Sequence, residues 1–213
     1  RLGAENELTA TLPYSGDEFG VPPNLHVLGT MNSADRSIAF IDTALRRRFQ
    51  FREVAPDSDV LRAEMPEGGV IDGVDVPALL DVINDRIELL FDRDHTLGHS
   101  FFIRITSLDD LRQVVLEKVI PQLQEYFYGD WRRVCLVLGC PHQTDGEQPT
   151  SENPFPVLAA ERLSVSALLG THNGDYEDQV RFSVNPEFLA SEGPALANFF
   201  KAIMGQPADN GST

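Results

Sequence analysis

Between Leu25 and Phe51 the sequence LHVLGTMNSADRSIAFIDTALRRRFQF leaves few architectures open. Leu25 to Thr30 is a short apolar run with a polar turn behind it, the pattern of a strand buried on both faces of a parallel sheet. Ile38, Ile41, Leu45 and Phe49 then recur at spacings of 3, 4 and 4, which is one face of a helix from about Ser37 to Arg47. Phe49 to Arg52 alternates like a second strand. Strand, helix and strand within so short a stretch make an α/β unit, and the fold class expected is α/β.

The flanks have a different character. Residues 1–23 read as loop, punctuated by Pro13, Gly16, Gly20, Pro22 and Pro23. Pro56 marks a boundary, and residues 56–139 pattern as a small helical domain. One helix is expected from Pro77 to Phe91, with proline in its first turn. A second starts at Ser107, where Ser107 and Asp110 have capping-box spacing, and Pro121 is expected to interrupt it. A third runs from Trp131 to Leu138, with Asp130 as N-cap and Gly139 as its stop. Residues 140–156 are rich in Pro, Gly, Asn and Ser and read as a linker. In the remaining segment, 157–213, a short strand is expected at Arg181–Val184 and a helix at Pro194–Met204, with frayed residues from Gly205 onward. The expected division is therefore 1–55, 56–139, 140–156 and 157–213.

Charge separates the first block from the rest. The chain of 213 residues carries a net charge of −16, yet between Asn24 and Arg52 five arginines face only Asp35 and Asp42, a local +3. An acidic chain is a poor general grip for nucleic acid. A basic island within it suits an anionic ligand such as phosphate. Cys135 and Cys140 are too few for a structural zinc site and are expected as free thiols in a reducing cytosol. Asp92, Asp94, His95 and His99 mix carboxylates with imidazoles at no recognisable metal spacing, and Gly98 breaks any helical face there; no metal is expected. No apolar run approaches the ~20 residues of a membrane span. The chain opens on Arg1 with no targeting pattern and is expected to be a piece of a longer polypeptide.

Met31-Asn32-Ser33-Ala34-Asp35-Arg36-Ser37, followed by Ala44-Leu45-Arg46-Arg47-Arg48-Phe49, resembles the McrB family of AAA+ nucleoside triphosphatases, the motor subunits of modification-dependent DNA restriction systems. The family signature reads Met-Asn-Thr-Ala-Asp-Arg-Ser, and Ser33 in place of Thr keeps the hydroxyl. Gly98-His99-Ser100-Phe101-Phe102 and Ile120-Pro121-Gln122-Leu123-Gln124-Glu125-Tyr126-Phe127 extend the likeness, which covers roughly residues 12–139. The resemblance implies the C-terminal part of a parallel-sheet AAA+ core followed by a helical lid. It implies Asn32 as the sensor-1 residue, Asp35 orienting the attacking water, Arg36 in phosphate sensing, and Arg47 and Arg48 as arginine fingers acting on a neighbouring subunit's nucleotide. It also places His99 near the nucleotide from the lid side.

Each assignment has a plainer rival. Asn32 and Asp35 are good helix caps, and three arginines at a helix C-terminus stabilise its dipole by ~0.3–1 kcal/mol each without any ligand. Motif and triplet together within one short element pair favour the nucleotide reading. The phosphate-cradling loop is missing, however. Lys118 follows Glu117 and Lys201 follows Phe200, so neither can serve in G-x-x-x-x-G-K-[ST]. Nor does an apolar strand end in Asp-Glu to hold magnesium. This piece alone is therefore expected to be inactive. The resemblance implies an intact parent that binds ATP or GTP with Mg²⁺ and forms a ring, a hexamer by family likeness. Such a motor works with an McrC-like nuclease subunit and meets DNA mainly through other domains or subunits. The alternative is a non-catalytic, AAA-derived protein-interaction module.

Overall fold

The computed structural model describes residues 9–22, 24–32, 34, 43–140, 156–170 and 176–208. They form two compact units, residues 1–40 and 41–213, each considered by itself.

In the first unit, β1 (Thr9–Thr11) and β2 (Glu18–Gly20) pair antiparallel, with Thr9 opposite Gly20 and Thr11 opposite Glu18. The connecting loop closes through Leu12 N–H to Asp17 O at 2.9 Å and Gly16 N–H to Leu12 O at 3.0 Å. Residues 25–30, expected as a buried parallel strand, run without a ladder, and Val27 and Leu28 are 67% and 96% exposed. Among the described residues every sheet is two-stranded and antiparallel, so the parallel-sheet core is not formed there. The physical reason is simple. A parallel strand depends on neighbours along its edges, and the described residues bring none to this segment. The strand expected at 49–52 is not formed either: Phe49 lies in a bend and residues 50–52 join no ladder.

The second unit holds the core. Most of the helix expected at 37–47 lies outside the described residues; α1 (Thr43–Arg46) is the turn that is seen. Asp57 caps α2 (Ser58–Glu64) by accepting the Asp59 N–H at 3.0 Å. A tight hairpin comes next, β3 (Val70–Ile71) against β4 (Val74–Asp75), turned by Asp72 and Gly73 at φ of +47° and +77°. Both values suit the Asp-Gly pair of a two-residue hairpin. Asp75 then caps α3 (Val76–Leu90) through the Ala78 N–H at 2.9 Å. The apolar stripe of α3, Leu79, Leu80, Ile83 and Ile87, is fully buried.

Ser107 and Asp110 form the expected capping box at the start of α4 (Leu108–Val114). Pro121 does not break the helical path after α4. The chain continues through one π-helical stretch, Val115–Val119, into α5 (Ile120–Tyr126), and the Ile120 N–H bonds to Val115 O. The wider turn accommodates a residue that has no amide hydrogen to donate. Asp130 caps α6 (Trp131–Val137), accepting from both Arg132 and Arg133 N–H groups. At its end Gly139, at φ +70°, bonds to Leu136 O, and Cys140 N–H bonds to Cys135 O at 2.9 Å. This is a Schellman motif, which brings its third-last residue to the residue past the glycine. Those two residues are Cys135 and Cys140, both buried free thiols. The hydrogen bond to Cys140, together with burial, pushes the Cys135 thiol up.

The tail belongs to the same core. β5 (Leu158–Leu163) pairs antiparallel with β6 (Gln179–Val184), which includes the strand expected at 181–184. α7 (Val165–Leu169) lies between them in sequence. Then come α8 (Pro186–Ala190) and α9 (Gly193–Ile203), close to the terminal helix expected from Pro194. α9 packs against α3, α4 and β4. Leu196, Phe199, Phe200 and Ile203 are at most 2% exposed, and the Phe188 ring meets Phe199 and Phe200 at 5.4 and 5.7 Å. Arg112 Nη1 fastens the same region from α4, donating to Leu189 O at 2.9 Å and Ser191 O at 2.8 Å. The stretch expected as a linker falls largely on 141–155, outside the described residues.

Candidate functional site

Of the residues singled out in the sequence, Asn32 lies in the first unit. Its Oδ1 accepts the Ala34 N–H at 3.0 Å, a local turn. With the oxygen so engaged, the Nδ2 group is the donor that Asn32 offers to an oxygen ligand. Ser33, Asp35 and Arg36 lie outside the described residues.

Arg47 and Arg48 lie in the second unit, in the turn directly after α1, and both are exposed. Arg46 differs from them, its guanidinium standing 5.7 Å from the centre of the Phe51 ring. A cation over an aromatic face is held in place. All three arginines are exposed, and it is the contact with Phe51 that sets Arg46 apart. Exposed guanidinium groups in a row are suited to phosphate oxygens, which they can bind through paired N–H donors. Magnesium ligands are a different matter: among the described residues no group of three or more His, Cys, Asp or Glu side chains is arranged to hold a metal.

Beyond the arginines, residues 49–56 connect to α2, and here His99 comes in. It sits in a single 3₁₀ turn, His99–Phe101, on the lid. Its Nδ1 accepts the Asp57 N–H at 3.1 Å, a contact between residues 42 apart in sequence. Arg93 Nη2 reaches Glu53 Oε1 at 2.9 Å in the same connector.

The loop that carries Arg93 and His99 is firmly held. His95 is buried, its Nδ1 lies 2.6 Å from Asp92 Oδ1, and its ring sits edge-on to Phe91 and Tyr126 at 4.4 and 4.8 Å. Burial alone would raise the Asp92 carboxyl. The bond and charge of His95 and the N–H groups of Asp94 and His95 outweigh it and hold the carboxyl below its usual range. Asn84 on α3 grips the buried Leu97 on both sides, donating to its carbonyl at 3.0 Å and accepting its N–H at 2.7 Å. Asp92 and His95 are thus partners in a loop brace. Asn84, Glu53 and Arg93 carry no mark in the sequence, since no motif announces a side chain that grips one backbone position. An open depression beside Phe101 is lined by Arg104 and Lys118 but also by Asp110 and Glu117, and this balance of charge does not favour a polyphosphate.

The architecture from α3 to α6 is a helical lid, a small bundle with one shared core. Residues 75–135 match the family model described as the McrB alpha-helical lid domain, and the chain is McrB-like over this region. A curated relative is the type IV methyl-directed restriction enzyme EcoKMcrB subunit of Escherichia coli (strain K12). It is 31% identical over 139 residues, a match that covers 56% of this chain and 29% of the relative. The chain thus spans under a third of that relative's length. Among the described residues no helix is long and apolar enough to cross a membrane.

Proposed function

We propose that this chain is the sensor, arginine-finger and lid portion of an McrB-like AAA+ motor that binds and hydrolyses ATP or GTP with Mg²⁺. The observation that carries the reading is the McrB-type lid joined, through one short connector, to two exposed arginines behind the Asn32 motif. Residues 25–30 would then be a strand of the parent's parallel sheet. Their exposed Val27 and Leu28 suit a strand whose neighbours come from elsewhere in the parent.

In this reading Asn32 donates its amide N–H to the γ-phosphate or the attacking water, adding no negative charge beside it. Asp35 orients that water, and Arg36 takes part in phosphate sensing. Arg47 and Arg48 reach the nucleotide of the next subunit, where they neutralise charge developing on the transferred phosphoryl group. His99 approaches the nucleotide from the lid. Bound Mg²⁺ contributes charge neutralisation at the phosphates; its ligands and the phosphate loop belong to other parts of the parent. The parent assembles as a ring, a hexamer by family likeness, and works with an McrC-like nuclease subunit. DNA is met mainly by other domains or subunits, in keeping with the net charge of −16 here.

The test is Asn32→Ala in the full-length polypeptide that contains this chain, with nucleotide binding and hydrolysis measured separately. Binding should hold within a few-fold, while hydrolysis falls by about 10² or more, the scale of losing one transition-state donor. Unchanged hydrolysis would favour the non-catalytic interaction module.

A further inference from the structure

We infer that the loop 92–99 is a clip that positions the arginine-bearing connector on the lid, and that His99 is its positioning residue, a neutral imidazole whose Nδ1 accepts the Asp57 N–H. The clip itself stands on the lid geometry; its consequence for hydrolysis rests on the nucleotide reading above.

The loop is braced before it reaches out. One end is fixed by the Asp92–His95 pair, set among the rings of Phe91 and Tyr126. The other end is fixed by Asn84, which satisfies both backbone groups of Leu97, a residue 1% exposed. From this brace two side chains extend to the connector. Arg93 meets Glu53 at 2.9 Å, but both side chains are about two-thirds exposed, and such a pair holds weakly in water. His99 makes the directional contact, with the Asp57 N–H at 3.1 Å. Asp57 is in turn the N-cap of α2, so the bond fixes the point where the connector enters α2, the helix that packs against α3.

The chemistry of this bond is specific. A backbone N–H can only donate, so Nδ1 must present its lone pair and the ring proton resides on Nε2. Nε2–H is then a donor, and any further partner of His99 must be an acceptor. An asparagine at the same position can place its carbonyl oxygen near the Nδ1 site. Glutamine reaches toward the Nε2 site and alanine offers nothing. With the clip closed, residues 49–56 alone separate Arg48 from the fixed point at Asp57, so the length of this segment bounds how far the arginines can stand from it.

The experiment is nuclear magnetic resonance on the ¹⁵N-labelled 213-residue chain. A scalar coupling across the hydrogen bond, between the Asp57 amide nitrogen and an unprotonated His99 Nδ1, is the expected signature. A merely structural imidazole, packed without this bond, would show no such coupling. His99→Asn should preserve the exchange rate of the Asp57 amide, while His99→Gln and His99→Ala speed it roughly fivefold, the effect of losing one net hydrogen bond. A proton on Nδ1 in the wild-type neutral ring, or absence of the coupling, overturns the inference without recourse to any variant. The nucleotide reading fails separately, if Arg47→Ala leaves hydrolysis by the full-length polypeptide unchanged. That result would not touch the coupling.

Discussion

Asn84→Ala removes two hydrogen bonds at once, and both are to one buried residue. Leu97 is 1% exposed, its N–H lies 2.7 Å from Asn84 Oδ1 and its carbonyl 3.0 Å from Nδ2. Each buried backbone group left without a partner costs about 1–3 kcal/mol. Some relaxation of the loop lowers the sum, so a loss of about 2–4 kcal/mol is expected. Against a total stability of about 5–15 kcal/mol this is large. In urea, with a slope of about 1–3 kcal/mol per molar, the midpoint should fall by about 1–2 M. Equilibrium unfolding followed by circular dichroism reads this directly, and the Leu97 amide should exchange faster in the same variant. Asn84→Asp sharpens the test. It keeps the acceptor for the Leu97 N–H but sets a second carboxylate oxygen against the Leu97 carbonyl. That contact disfavours the ionised form, so the aspartate's pKa rises on folding and the variant's deficit against wild type should shrink as pH falls toward 4. A loss below about 0.5 kcal/mol for Asn84→Ala would refute the reasoning, because the two bonds could not then be bracing the loop.

Three further outcomes are expected of the lid. Gly139→Ala should destabilise by about 1–3 kcal/mol in the same urea assay, since φ is +70° and a new Cβ would lie 3.0 Å from Ile203 Cα and 3.1 Å from Arg86 Nη1. Arg112→Met should cost about 1.5–3 kcal/mol, the range for bonds to a charged donor. The carbonyls of Leu189 and Ser191 lose that donor, so proteolysis within residues 186–203 should quicken. The Asp92 carboxyl is held below its usual range, so its contribution is present above the unfolded aspartate value of about 3.9 and is lost as pH falls through the folded value. Stability measured from pH 6 down to pH 2 should therefore fall less steeply in Asp92→Asn.

The lid was legible because its signals are local. Ser107 with Asp110, Asp130 and Gly139 are start and stop signs that work through neighbouring backbone, and all of them act as expected. The stripe Leu79, Leu80, Ile83 and Ile87 likewise marks its own burial. Pro121 misled because proline breaks a helix only where the α register must be kept, and a single π turn relaxes that register. The parallel sheet expected around 25–30 is not formed among the described residues, because a strand's apolar pattern says nothing of which neighbours are present. The tail's place in the core was also hidden. Phe188, Phe199 and Phe200 look like any apolar residues until α9 meets α3 and α4.

The motifs marked Asn32, Arg47, Arg48 and His99 as candidates, but not how each is held. His99 was marked by Gly98-His99-Ser100-Phe101-Phe102, while its acceptor role depends on Asp57, 42 residues away. Asn84 carried no signal at all, because gripping a backbone is a task many polar residues could do at many positions.

The central claim is that Arg47 and Arg48 complete a neighbouring subunit's nucleotide site. A mixing experiment on the full-length polypeptide tests it most directly. One subunit type carries Arg47→Ala and Arg48→Ala; the other lacks the lysine of its phosphate loop but keeps both arginines. Each alone should hydrolyse nucleotide about 10³ to 10⁵ times more slowly than wild type, and mixing them should restore a measurable fraction of the rate. A double-arginine variant that hydrolyses as fast as wild type would contradict the account.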